Sequence, residues 1–187
     1  RSNDSIYVYV PGSDSLYSMV IPSYGGDTGN VFRCTNLEHT EQGQYMYACG
    51  GYGIANAGDT VATKTYSYFM KMDMPKMISA VKANNPGAFK ESIMWGQSDM
   101  VCATGGEMFL LPDNNFYLVV GHKFTGAYLD PNAIQEYVDS VRVFTVSTSG
   151  NQLELNRTGS FTDNLASATT YHLHDSLTQF RRRDLVI

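Results

Sequence analysis

The chain has 187 residues, of which 43% are hydrophobic and 17% are charged, with 13 tyrosines but a single tryptophan. This length suffices for one domain with a sizeable core, and the net charge of −5 argues against a nucleic-acid-binding surface. No apolar stretch approaches the roughly 18 residues that cross a bilayer as a helix. Sparse charges with frequent glycine and tyrosine are typical of β-rich proteins outside the cytoplasm, so we predict a periplasmic or extracellular, cell-surface protein.

The first third of the chain predicts strands joined by tight turns. Alternating apolar residues predict strands at 5–10 and 16–21, closed by Pro11-Gly12 and Pro22. A hairpin follows, with residues 31–39 paired to residues 44–50 around a loop at 40–43. The aromatic second arm ends in Gly50-Gly51, which we interpret as a tight turn that halts the strand.

The middle of the chain predicts one short helix between strands. Residues 63–72 alternate tyrosine, phenylalanine and methionine and predict a strand. Asp73 followed by Pro75 indicates a helix N-terminus, so we expect a helix over 76–82 that breaks at Asn84-Asn85-Pro86-Gly87. Residues 99–103 predict another strand.

The second half repeats the pattern of the first. A hairpin is predicted at 107–111 and 116–120, followed by strands at 137–146 and 152–155, and segments 169–174 and 180–187 would begin a next unit. In both halves a hairpin is followed by a glycine turn, a polar loop, an aromatic or β-branched strand and a weaker fourth segment. Four antiparallel strands repeated in this order are typical of propeller blades.

The repeat therefore predicts an all-β chain, a β-propeller of about three four-stranded blades with one short helical insertion. Such a partial ring would leave strand edges exposed. We therefore interpret residues 1–187 as a single propeller domain or a fragment of one, whose remaining blades come from another chain or from sequence not included here.

Two glycine-containing segments resemble kelch-type repeats. They are Cys-Gly-Gly-Tyr-Gly from Cys49 and Val-Val-Gly-His-Lys-Phe-Thr-Gly-Ala-Tyr from Val119, each followed by an aromatic strand. The resemblance covers residues 31–155 and implies a propeller of the galactose-oxidase-like type. The second segment has Val-Gly in place of Gly-Gly, and the tryptophan usual late in a kelch blade is missing. Residues 179–186 also resemble strand-opening segments of secreted propeller proteins of the Bacteroidota.

The three cysteines, Cys34, Cys49 and Cys102, cannot all pair within the chain. If residues 40–43 form the first hairpin loop, Cys34 lies directly across from Cys49, close enough for a disulfide. The alternative is that both are buried thiols that pack as small hydrophobic side chains.

A tripeptide recurs along the chain, in which Asp is followed by Ser or Thr and then by a small or apolar residue. It resembles the O-glycosylation motif of Bacteroidota periplasmic and surface proteins. The alternative is that Asp-Ser and Asp-Thr start strands and turns. The candidate acceptors are Ser5, Ser15, Thr60, Ser140 and Ser176.

No nucleophile with a base, no pair of carboxylates and no metal-ligand set stands at a catalytic spacing. We therefore expect neither catalytic residues nor a metal or other cofactor, and predict a secreted or surface module that binds a protein or glycan partner. The expected binding loops contain Tyr52, His122, Tyr128 and Glu136. Two alternatives remain: a carbohydrate-active enzyme or copper oxidase completed by further blades, and a subunit of an outer-membrane assembly.

Overall fold

The computed structural model describes residues 4–24, 28–54, 62–126, 133–138 and 140–162. Within these ranges the chain is mostly β-structure with three helices, which confirms the predicted all-β class. The strands are β1 (Ser5–Val10), β2 (Ser15–Val20), β3 (Thr35–Gln42), β4 (Tyr45–Ile54), β5 (Thr63–Thr65), β6 (Tyr68–Asp73), β7 (Ile93–Gln97), β8 (Glu107–Leu110), β9 (Phe116–Val119), β10 (His122–Thr125), β11 (Ile134–Tyr137), β12 (Ser140–Ser149) and β13 (Gln152–Thr162). The helices are α1 (Thr28–Val31), α2 (Met74–Lys82) and α3 (Pro86–Glu91).

The strands after the N-terminal hairpin β1–β2 form two consecutive antiparallel groups. Strands β3, β4, β6 and β7 pair in that order and make the first module. Strands β8, β9, β12 and β13 pair in that order and make the second module. A parallel contact between Trp95 of β7 and Gln152 of β13 joins the modules, so that the described strands form one curled sheet.

A short hairpin extends each module beyond a two-residue bend, Gly50-Gly51 in the first module and Val120-Gly121 in the second. In the first extension the end of β4 pairs with β5, and in the second extension β10 pairs with β11. Thr125 of β10 lies opposite Lys64 of β5, which links the two extensions. The sequence did not reveal these hairpins. The single strand predicted over 63–72 is divided into β5 and β6, and β10 and β11 span only four residues each.

The modules pack against each other through side chains that alternate along their strands. Phe69 of β6 contacts Phe116 and Phe144 of the second module edge to face, with ring centroids 5.3 and 5.8 Å apart. Phe69 and Phe144 are fully buried, and burial of one such side chain stabilises a fold by about 1.5–3 kcal/mol. The buried side chains of this core are Tyr47, Cys49, Phe69, Val101, Met108, Phe116, Leu118, Phe144 and Leu153.

The opposite face of the first module is covered by the helices and by β1–β2. Ala48 and Met70 point to this side because neighbouring residues on a strand face opposite ways. They pack with Met77 and Val81 of α2 and with Phe89 of α3. The helices therefore close one side of the first module, and the second module closes the other.

The predicted helix is confirmed, and it is followed by a second helix that was not predicted. The Asp73 carboxylate caps α2 by accepting a hydrogen bond from the backbone N–H of Lys76 at 3.2 Å. Asn85 likewise accepts a bond from Ala88, and Pro86 occupies the first turn of α3. Thus the expectation of a single short helical insertion was wrong: the turn-forming residues at 84–87 end one helix and begin the next.

The glycine pair at 50–51 was predicted to halt a strand, and this was wrong. Strand β4 continues to Ile54 and exchanges its partner β6 for β5 at the pair. Gly50 and Gly51 have φ angles of 66° and 78°, a left-handed conformation that bends the strand. Val120 and Gly121 repeat this conformation in the second module, with φ angles of 54° and 94°.

The hydrogen bonds at the two pairs also correspond. The carbonyl oxygen of Gly51 accepts from the N–H of Tyr66, and that of Gly121 accepts from Val138, both at 2.9 Å. The repeat seen in the sequence is thus present in the backbone, even where Val120 replaces a glycine.

The strand predicted at 99–103 was wrong, because residues 99–101 form a 3₁₀ turn. The segments 169–174 and 180–187, predicted to begin a next unit, lie outside the described residues.

Candidate functional site

The predicted binding residues fall into two different cavities. Tyr52 and His122 line a cavity of about 180 Å³ between the two extensions. Glu136 lines a larger cavity of about 560 Å³ beside the second extension. Tyr128 lies outside the described residues.

The smaller cavity, which we call the extension pocket, forms where the two modules meet beyond Gly50-Gly51 and Val120-Gly121. Its floor is fixed by mutual backbone bonds between Thr104 and His122, at 2.9 and 3.0 Å. The Thr65 hydroxyl accepts a hydrogen bond from the N–H of Phe124 at 2.8 Å and thereby ties β5 to β10. The lining residues are Thr35, Asn36, Tyr52, Thr104, His122, Phe124 and Gln135.

Aromatic rings and neutral polar groups share this pocket. The half-buried ring of Tyr52 meets Phe124 edge to face, with ring centroids 5.0 Å apart. Carboxamides from Asn36 and Gln135 and hydroxyls from Thr35 and Thr104 surround the rings. Amides and hydroxyls both donate and accept hydrogen bonds, so the pocket suits a ligand that has hydroxyl groups around an apolar surface.

The larger cavity, which we call the basic cavity, lies beside the turn at 99–101 and the second extension. It is lined by Ser98, Asp99, Met100, Lys123, Glu136, Tyr137, Val138, Ser140, Arg142, Leu155 and Arg157. Lys123 and His122 are neighbours on β10 and therefore face opposite sides of the second extension. The extension pocket and the basic cavity thus share one hairpin as a wall.

Two buried charged residues, Glu38 and Arg142, lie near these cavities, and no local pattern in the sequence indicated what either of them contacts. Glu38 of β3 is 2% exposed and accepts a hydrogen bond from the N–H of Gly106 at 2.8 Å, across the module boundary. Burial raises the pKa of Glu38 to about 8, so its carboxyl group is mostly protonated at neutral pH. Arg142 of β12 is 4% exposed, and burial lowers its pKa.

The possible disulfide between Cys34 and Cys49 depended on a hairpin register that the structure does not have. The first hairpin turns at Gly43 and Gln44, which places Cys49 opposite Glu38 rather than Cys34. Cys34, Cys49 and Cys102 are all free thiols. The alternative of buried thiols agrees better with the structure, since Cys49 is fully buried and its Sγ lies 3.7 Å from the Met108 sulfur.

The candidate glycosylation residues are only partly described. Ser5, Ser15 and Ser140 are all half-buried, the first two on the N-terminal hairpin and the third in the wall of the basic cavity. Thr60 and Ser176 lie outside the described residues. Glycosylation at these positions stays a prediction.

The described residues contain neither a metal-ligand cluster nor a helix that could span a membrane. No three His, Cys, Asp or Glu side chains gather there in a way that could hold a metal ion. None of the helices in this part of the chain is long and apolar enough to cross a membrane.

No protein-family model matches the chain, and no curated protein matches it with significance.

Proposed function

We propose that this chain is a non-catalytic binding module of a secreted or cell-surface protein, and that its partner is a glycan held in the extension pocket. The observation that supports this most is the combination of rings from Tyr52 and Phe124 with neutral amide and hydroxyl groups in one cavity of about 180 Å³. Sugars present C–H faces that pack on rings and hydroxyl groups that bond to amides. A protein partner, the other candidate, would need a wider contact surface than a cavity of this size offers.

We further propose that the modules are kelch-type propeller blades. Each module has four antiparallel strands in sequential order, and the modules pack face to face through alternating side chains. Both blades would carry the left-handed residue pair at the same place, Gly50-Gly51 and Val120-Gly121. The extensions after these pairs would then be blade-edge loops, which are common positions for binding sites.

A location outside the cytoplasm is part of the same proposal. It is supported by the composition of the chain and by the Asp-Ser motifs, of which Ser5 and Ser15 lie on the N-terminal hairpin. The free thiols are compatible with an oxidising compartment, because burial raises the pKa of Cys49 well above its ordinary value and so suppresses the reactive thiolate.

Replacing Tyr52 with alanine should weaken glycan binding about tenfold or more, since loss of a ring that becomes buried on binding costs about 1.5–3 kcal/mol. The measurement is binding of the purified chain to an array of plant and host oligosaccharides, followed by calorimetry on the tightest ligand. Tyr7→Ala is the matched control, because Tyr7 is 63% exposed on the N-terminal hairpin and does not line the pocket.

Four results would contradict the proposal. Absence of binding to any glycan would refute the choice of partner, and equal effects of the Tyr52 and Tyr7 substitutions would refute the choice of pocket. Turnover of a bound glycan would instead favour the carbohydrate-active or oxidase alternative. Recovery of the chain only within a stable membrane complex, without glycan affinity, would favour the assembly subunit.

A further inference from the structure

The basic cavity contains a buried cation, Arg142, that forms no ion pair with an acidic side chain among the described residues. The guanidinium group of Arg142 donates hydrogen bonds to the carbonyl oxygens of Met100 at 2.7 Å and Val120 at 3.1 Å. Its Nε atom is buried and has no hydrogen-bond partner among the described residues. The ion pairs in this part of the chain, Arg33–Asp4 and Lys76–Asp73, do not include it.

Glu38 is the carboxyl group that influences Arg142, but no ion pair joins the two side chains in the part of the chain that the structure describes. Its carboxyl group stays mostly protonated at neutral pH, because burial raises its pKa to about 8. A buried charge without a partner is costly, and proteins normally pair such a charge or bind an ion beside it. Arg142 is therefore a cation in a fixed orientation that an incoming anion would stabilise.

Two further cations line the same cavity. Lys123 of β10 is half-buried, and Arg157 of β13 is exposed at the rim. Burial is the main cause that lowers the pKa of Arg142, and the like charge of Arg157 lowers it slightly further. The cavity's two carboxylates, Asp99 and Glu136, are both exposed, so the deepest charges of the cavity are positive.

The size of the cavity indicates an organic anion rather than a bare inorganic ion. Its volume of about 560 Å³ lies within the range of small-molecule sites, whereas one water molecule takes about 30 Å³. Hydroxyl groups of Ser98, Ser140 and Tyr137 stand among the cations and can bond to further polar groups of a ligand.

We propose that the basic cavity binds a carboxylate-bearing sugar, with the acid group directed at Arg142 and Lys123 and the sugar hydroxyls at the surrounding serine and tyrosine side chains. This site is separate from the extension pocket and does not depend on ligand binding there. It predicts that the chain distinguishes acidic from neutral saccharides.

Calorimetric titration with trigalacturonate, and with neutral galactotriose for comparison, tests the proposal on the whole chain carrying Tyr52→Ala, which removes the ring that a glycan in the extension pocket would contact. We expect the acidic trisaccharide to bind and the neutral one to bind at least about tenfold more weakly, since a hydrogen bond to a charged group is about twice as strong as one between neutral groups. Lys123→Gln and Arg157→Gln should each weaken binding of the acid several-fold. Glu136→Gln should strengthen it, because a carboxylate at the rim opposes entry of an anion.

Lys82→Gln is the matched control, because it removes the same charge from α2, outside the cavity. The proposal is overturned if trigalacturonate does not bind, or if the neutral trisaccharide binds equally well. It is also overturned if the Lys123 and Arg157 substitutions have no more effect than the control. Affinity for sulfate equal to that for trigalacturonate would indicate a simple anion site. Tighter binding of polyglutamate than of trigalacturonate would indicate a site for acidic peptides. Either result would contradict the proposal of a sugar ligand.

Discussion

Substituting alanine for Gly50 should lower the free energy of unfolding by more than about 3 kcal/mol, the sum of a left-handed backbone strain and a steric clash. An added Cβ would lie 2.0 Å from the carbonyl oxygen of Ala103, a backbone atom that cannot rotate away. The φ angle of 66° adds strain for any residue with a Cβ. The change would force apart the first module and the segment that leads into the second.

Gly150→Ala separates these two causes. Gly150 has nearly the same φ angle, 59°, but no heavy atom lies within 4 Å of the position its Cβ would take. Its substitution should therefore cost only the backbone strain, about 1–2 kcal/mol. Urea denaturation of both variants and of the wild type measures the loss of unfolding free energy that each substitution causes. Equal losses would mean that Gly50 does not approach Ala103 closely.

The stability of the wild-type chain should fall as pH rises from about 5 to about 9, because Glu38 takes up a proton on folding. Its folded pKa of about 8 exceeds the ordinary value of 4.5, so the folded chain binds more protons than the unfolded chain between these two values. The stabilisation is complete below the lower value and is lost as pH rises through the upper one. Each pKa unit corresponds to about 1.4 kcal/mol, so the loss is on the order of 3–5 kcal/mol.

Glu38→Gln should remove most of this pH dependence, because the amide keeps an acceptor for the N–H of Gly106 and cannot ionise. Wild type and variant should be similar near about pH 5 and diverge as pH rises, with the variant the more stable in alkali. Glu41→Gln is the control, since Glu41 is an exposed acid on the same strand. If the free energies of unfolding of the wild type and of the Glu38 variant change with pH in parallel, Glu38 is not a buried, protonated carboxyl group.

The sequence predicted the elements whose signals are local. Aromatic and methionine side chains along β4 and β6 predicted strands, and Asp73 predicted the start of α2. Gly121 likewise predicted the turn after β9. Each of these signals depends only on residues close by in the sequence. The register of the first hairpin was predicted wrongly, because a four-residue loop was expected there. The chain makes a two-residue turn instead, which Gly43 permits with its φ angle of 60°. That shift moved Cys34 away from Cys49.

The candidate sites depend on contacts between distant parts of the chain. Arg142 bonds to the carbonyl oxygens of Met100 and Val120, which lie 42 and 22 residues away. Glu38 bonds to Gly106, 68 residues away. An arginine between valines on β12 was a signal for a buried cation, since charged residues are rarely fully buried. The sequence contained no indication of which groups would surround it.

The packing of the two modules underlies both proposed sites, and nuclear Overhauser effects between aromatic rings measure it most directly. We expect cross-peaks between the ring protons of Phe69 in the first module and those of Phe116 and Phe144 in the second, because the edge-to-face centroids lie 5.3 and 5.8 Å apart. Phe116 and Phe144, stacked at 5.4 Å within the second module, provide the internal reference. If that reference peak is present while both Phe69 cross-peaks are absent, the modules do not pack as described.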